Sequence, residues 1–147
     1  MFIREMREED VNDIVTLEHL LFSSPWNKQD FLYEINDNPF SKNFVVYDDD
    51  ILVGYLGLWI SYEQAQITTI GVNKEYQRQG IGEMMMKYAE DLAIKSGCLQ
   101  MSLEVRISNN KAISLYEKRL FKKVAIRNNY YEDNHEDAYL MIKELEV

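Results

Sequence analysis

"ITTIGVNKEYQRQGIGEMMMKYAEDL", residues 67–92, runs from a β-rich segment into a helical one through two glycines set one residue apart. The β-branched residues of "QAQITTIGV" predict a strand over 64–72. Ile81, Met84, Met85, Tyr88, Ala89, Leu92 and Ala93 then recur at i, i+3 and i+4. That spacing predicts a helix with a wide apolar face, closed by Gly97 as its C′ residue. Between the two elements, Gly80 and Gly82 give up side chains where the helix must start. A helix start offers unbonded N–H groups and the positive end of a dipole, which suits close approach of an anion such as phosphate. Tight helix–sheet packing is the competing reason for the same two glycines. The third glycine of the dinucleotide fingerprint and the Gly-Lys-Ser/Thr ending of a P-loop are both missing, which disfavours those two phosphate-binding classes.

Outward from this stretch, "REEDVNDIVTLEHLLF" sets Val11, Ile14, Val15, Glu18 and Leu21 at helical spacing, with acids in the first turn. A second helix is expected near 27–35, entered through Pro25. "NFVVYD" (43–48) and "ILVGYLGLWIS" (51–61) flank "DD" and predict a hairpin. "CLQMSLEVR" (98–106) is a strand, "SNNKAISLYEK" (108–118) a helix with Ser or Asn as cap, and 121–128 and 137–145 are two closing strands. The order is β-α-α-β-β-β-α-β-α-β-β, an α/β arrangement of the α+β kind. The strand at 64–72, its crossover helix and the strand at 98–106 predict one parallel pair within a mixed, mostly antiparallel sheet of about seven strands flanked by about four helices.

The chain has 147 residues, long enough for one domain with a real core, and we expect a single domain over 1–147. With 25 acidic residues against 16 basic ones, the formal charge is −9. This disfavours direct nucleic-acid binding, which rests on a basic face, and suits either a cationic partner or solubility alone. No run approaches a membrane span, and "MFIREMREED" is unlike a signal peptide, so a cytoplasmic protein is expected. One cysteine, Cys98, and two histidines, His19 and His135, exclude an internal disulfide and disfavour a zinc site; no metal is expected. Cys98 reads as a structural thiol and His135 as a solvated residue.

What adds chemistry is a combination. "LEVRISNNKAISLYE" (103–117) supplies a strand-borne Glu104, Asn109 at a helix entrance and Tyr116 on the helix. With "QRQGIG" (77–82), this resembles the GNAT superfamily of acetyl-CoA-dependent N-acetyltransferases, whose pyrophosphate loop is Gln/Arg-x-x-Gly-x-Gly/Ala. "SPW" (24–26), "IRNNYY" (126–131) and "EDAYLM" (136–141) extend the likeness over nearly the whole chain, toward the group that acetylates the N-terminal alanine of a ribosomal protein.

The resemblance implies acetyl-CoA as co-substrate and a GNAT fold with a splayed parallel pair. It implies coenzyme contacts at Ile70, Gly71, Val72, Arg78, Gln79, Gly80, Ile81, Gly82, Glu83 and Asn109. It implies Glu104 as general base and Tyr116 as general acid. The acceptor implied is the N-terminus of a basic ribosomal protein of the small subunit, number eighteen, met by a monomer or weak dimer. A small-amine acetyltransferase and a non-catalytic acetyl-CoA binder are the alternatives.

Each residue also has a plainer reading. Alternation between Leu103 and Val105 places Glu104 on the opposite face, a solvated one in the simplest case. Ile113, Tyr116 and Leu120 form an ordinary helical core stripe, and Asn109 can simply cap its helix. Trp26, Tyr130 and Tyr131 suit an acceptor groove and a core equally. Two positions depart from the family pattern. Glu83 brings an acid beside the phosphate loop, harmless only if its side chain points away. Leu120 replaces a glycine after the tyrosine helix, which implies a different helix exit.

Overall fold

The computed structural model describes residues 1–145. Strands β1 (Phe2–Glu5), β2 (Ser41–Asp48), β3 (Ile51–Ser61), β4 (Gln64–Val72), β5 (Gln100–Arg106), β6 (Lys122–Arg127) and β7 (Ala138–Glu144) form one sheet. Helices α1 (Val11–Leu21), α2 (Lys28–Asn36), α3 (Ile81–Lys95) and α4 (Asn110–Lys118) cover it. The spatial order is β1-β2-β3-β4-β5-β7-β6. Every pairing is antiparallel except β4 with β5. A parallel neighbour needs a crossover, and α3 provides it.

Two cores, one on each face of the sheet, show why the chain divides into three layers. Ile81, Met85 and Ala89 of α3 and Ile113 of α4 pack with Leu56, Leu103 and Met141 of the sheet. Val11 and Ile14 of α1 and Phe31 of α2 pack with Val45 and Tyr55. The helix ends follow local chemistry. Asn27 and Asp30 cap α2 reciprocally, each side chain accepting the other's backbone N–H. Gly97 closes α3 with φ +89°, as expected of its C′ glycine.

Leu120 corrects the expected change at the exit of α4. It takes φ +75° itself, the left-handed conformation that a glycine would supply without strain. Its N–H bonds the Glu117 carbonyl at 2.9 Å, and that of Phe121 bonds the Tyr116 carbonyl at 2.9 Å, so the turn that ends the helix keeps its form.

The feature that positions the site is the brevity of the parallel ladder. β4 and β5 pair only at Gln64–Gln100, Ala65–Met101 and Gln66–Ser102. Beyond that point β4 stays bonded to β3 as far as Val72, while β5 stays bonded to β7 as far as Arg106. A register shift at Gly57/Leu58 leaves Thr68 without a cross-strand partner, a bulge that bends β4 where the split begins. The two strands diverge and leave a cleft between them.

Candidate active site

The split strands form the cleft walls. Ile67, Thr68, Thr69 and Ile70 line one side, and residues 103–106 of β5 line the other. β4 has no sheet neighbour on its β5 side past Gln66, so its outward backbone groups are open to an extended ligand up to Val72, whose carbonyl accepts from Gln77 Nε2 at 3.2 Å. At the open end of the split, the first turn of α3 packs between β4 and α4. A Cβ on Gly82 would lie 3.2 Å from Leu115 Cδ2 and 3.9 Å from Val72 Cγ2. Gly82 thus serves tight packing, the competing reading of that position.

Gly80 serves the backbone instead. It is the N-cap of α3 with φ +80° and gives the helix no side-chain cap, and a Cβ there would meet nothing within 4 Å. Arg78, two residues earlier, also has a positive φ of 65°. Among the described residues, no backbone N–H from Arg78 to Glu83 donates to a protein acceptor; the first in the helix to do so is Met84, to the Gly80 carbonyl at 2.9 Å. A run of unbonded amides at an uncapped helix start is what the diphosphate of a coenzyme requires. The Glu83 carboxylate turns toward α4, where it meets Lys118 Nζ at 3.0 Å and Arg119 Nη1 at 3.8 Å. It points to these cations, so the departure at this position leaves the amides usable.

Glu104 and Tyr116 open onto the same cleft, brought together from β5 and α4. Leu103 and Val105 enter the α3–α4 core, so the pleat turns Glu104 to the other face. There it is only 10% exposed. Its two oxygens accept from Gln66 Nε2 at 3.0 Å and Arg127 Nε at 3.2 Å. Tyr116 is buried, with its ring 6.1 Å from that of Phe121. Its hydroxyl has no hydrogen-bond partner among the described residues. Burial, with Tyr131 second, pushes this phenol far above its ordinary pKa, so it keeps its proton throughout the physiological range.

Asn109 caps its helix as expected, Oδ1 accepting from the Ala112 N–H at 3.2 Å, and it lines the cleft. Ile70 lines the cleft, whereas Gly71 and Val72 lie just beyond its walls. Gly71 has its own packing reason, since a Cβ would sit 2.5 Å from the Tyr55 ring. Trp26 and Tyr131 are cleft residues, and Tyr130 stacks edge-on against Tyr131 with centroids 5.0 Å apart. Burial pushes the Tyr131 phenol up to about 12.

Among the cleft residues without a functional reading from sequence is a buried acid. Glu18 on α1 is 3% exposed, accepts from the Trp26 N–H at 2.9 Å and binds the Tyr55 hydroxyl. Burial raises its carboxyl above the usual range despite these two bonds. The signal was present: an acid stands within the apolar stripe of α1, where an unpaired charge would be costly.

Comparison with known proteins agrees with this geometry. Residues 11–121 match the acetyltransferase (GNAT) family. The chain is 30% identical over 141 residues to the [ribosomal protein bS18]-alanine N-acetyltransferase of Escherichia coli strain K12, covering 95% of this chain and 94% of that one. A Bacillus subtilis protein that carries the same designation provisionally is 41% identical over 139 residues, 95% and 92% of the two chains. The crystal structure of the Escherichia coli enzyme superposes with a TM-score of 0.89 at 28% identity, over 99% of this chain and 94% of that one. Arabidopsis thaliana NAA60, solved in complex with acetyl-CoA, shares the fold at 19% identity with a TM-score of 0.85, over 97% of both chains. A family match over most of the chain and relatives at 30–41% identity along nearly its full length settle the family: the chain belongs to the GNAT family of acetyltransferases.

Proposed function

We propose that the protein transfers acetyl from acetyl-CoA to the N-terminal alanine amine of ribosomal protein bS18, by direct attack within a ternary complex. The observation that carries this reading is that Glu104 and Tyr116 line one cleft between the split strands, while the unbonded amides at the start of α3 lie beside the end of β4, the strand that walls it. Names of relatives at 41% and 30% identity support the acceptor. The formal charge of −9 suits a basic protein partner, and we place the reaction in the cytoplasm, with the enzyme a monomer or weak dimer.

Acetyl-CoA supplies an acyl group activated as a thioester. In this reading the backbone N–H groups of Arg78, Gln79, Gly80, Ile81, Gly82 and Glu83 bind its diphosphate, with the Arg78 guanidinium available as an added charge. The open side of β4 at Ile70, Gly71 and Val72 pairs with the pantetheine arm as an added strand, and Asn109 borders it. The amide of Val72, which the β3 ladder leaves on the open side of β4, faces the carbonyl oxygen as negative charge develops there, with Gly71 beside it. An α-amino group has a pKa of about 7.7–8.0 and is mostly protonated at neutral pH. Glu104 takes its proton, directly or through one water, so that a lone pair can attack. Tyr116, held protonated by burial, gives a proton to the departing thiolate. The attacking nitrogen sheds its second excess proton to solvent as the intermediate collapses; Tyr116 regains one proton from solvent and Glu104 releases the one it took, so each turnover frees one proton and leaves the protein unchanged.

The test is mass spectrometry of peptides incubated with the protein and acetyl-CoA. A peptide beginning with the bS18 N-terminal residues should gain one acetyl group on its α-amine. Acetylation confined to polyamines or free amino acids would replace this acceptor with a small amine. Binding of acetyl-CoA with no transfer to any amine would make the protein a non-catalytic binder.

A further inference from the structure

Two segments that wall the acceptor end of the cleft come from opposite ends of the chain. Residues 22–27 connect α1 to α2 and contribute Trp26; residues 128–137 connect β6 to β7 and contribute Tyr131. The sheet joins neither to the other. A loop of that length carries little positional information unless something ties it down.

Arg106, the last residue of β5, ties both. Its Nη2 meets Asp133 Oδ2 at 3.0 Å and Oδ1 at 3.1 Å, and donates to Ser23 Oγ at 3.3 Å. Its Nη1 meets Glu136 Oε1 at 3.3 Å and Asn134 Oδ1 at 3.2 Å. The guanidinium carbon stands 3.9 Å over the Tyr131 ring centroid, a cation–π contact that orients a cleft-lining side chain. The circuit closes directly between the two segments: the Ser23 hydroxyl donates to Asp133 Oδ2 at 2.6 Å, across 110 positions of sequence. The Arg106 side chain is 18% exposed and that of Asp133 23%, so the pair is only partly hydrated. An isolated surface ion pair contributes little, but a forked guanidinium with several acceptors fixes geometry. Hydrogen bonds from Ser23 first, and then from Arg106, hold the Asp133 carboxyl down to about 2, so this circuit stays charged at every physiological pH.

We propose that Arg106, Asp133 and Ser23 form a clasp that holds the two acceptor-side loops at a fixed separation over the cleft and thereby sets which amines reach Glu104. The inference rests on the acetyltransfer reading for its acceptor but not for its geometry. Ser23 and Asp133 are positioning residues: they act through Trp26 and Tyr131, and not on the acetyl group. With the clasp closed, an acceptor enters end-on between the two aromatics. With it open, the loops separate and the terminus is no longer aimed.

Two measurements on the whole protein test this. The first is amide hydrogen exchange without any substrate. Ser23→Ala and Asp133→Asn should each speed exchange in both loops, 22–27 and 128–137, although each substitution touches only one. Loosening confined to the mutated loop overturns the clasp. The second is steady-state kinetics with an alanine-terminated peptide. Asp133→Asn should raise the peptide KM by about tenfold, the effect of losing one charge-assisted hydrogen bond, while kcat at saturating peptide and the Kd for acetyl-CoA stay within about twofold. The double variant should be no worse than the more damaged single one, because both break one device. Additive losses, or a fall in kcat at unchanged KM, overturn the proposal in favour of general destabilisation. If the unaltered protein acetylates no peptide yet shows coupled loop exchange, the acceptor assignment fails and the clasp stands.

Discussion

Replacing Tyr116 by Phe separates chemistry from packing at the position where the two readings compete. The ring is buried against Phe121, and Phe preserves that contact. The hydroxyl bonds to nothing among the described residues, so its removal breaks no hydrogen bond and leaves no partner stranded. Stability should therefore change by less than about 1 kcal/mol. Transfer should fall by roughly 10²–10⁴-fold, the range for a positioned acid, equivalent to about 2.7–5.4 kcal/mol of barrier. The assay follows thiol release from acetyl-CoA in the presence of a peptide, with denaturant unfolding of the same preparation. A variant that folds normally and turns over normally would remove Tyr116 from the acid role. One that unfolds easily while its folded fraction keeps normal activity would leave it a packing residue.

Glu104→Gln should fold, since it loses only an ion pair with half-exposed Arg127, worth about 0–1 kcal/mol. Its transfer rate should drop at neutral pH and partly recover above about pH 8, where the acceptor amine is neutral without help; a parallel pH profile would count against proton removal by this carboxylate. Leu120→Gly should stabilise the fold by about 0.5–1 kcal/mol, the relief of a left-handed Leu less the entropy of glycine. As Leu120 is 70% exposed, little burial is lost, and thermal melting should rise by a few degrees; a fall would show that the leucine is not strained. Gly71→Ala forces a Cβ to 2.5 Å from Tyr55, so we expect a loss of about 1–3 kcal/mol in denaturant unfolding together with weaker acetyl-CoA binding; normal values of both would mean that β4 shifts freely.

Much of this architecture is written in local periodicity. The strand over 64–72 and the glycines bracketing α3 follow from β-branched runs and from backbone conformations that favour glycine, and the structure has them where the pattern puts them. Element ends moved by a residue or two where caps decide, as at α4, which starts at Asn110 behind its Asn109 cap. The rest depended on long-range geometry. Nothing in the alternation of 98–106 says that pairing with β4 stops at Ser102, because the split arises from a bulge at Thr68 and from which neighbours the two strands keep. Glu83 showed as an awkward charge, but only the fold brings Lys118 and Arg119 to it. The charge partners of Arg106 lie about 30 positions away in an acidic loop that reads as solvated. Paired side chains of that kind are selected by topology, and topology is the last thing a single sequence reveals.

Nitrogen-15 amide spectra of the labelled protein titrated with acetyl-CoA reach the central claim most directly. Amides from Arg78 to Glu83 should show the largest shifts and slowed solvent exchange, and an S-acetyl pantetheine lacking the diphosphate should leave them unmoved while still perturbing Ile70 to Val72. If acetyl-CoA binds with its largest shifts elsewhere and those six amides unchanged, the helix start is not the coenzyme's anchor and the account fails.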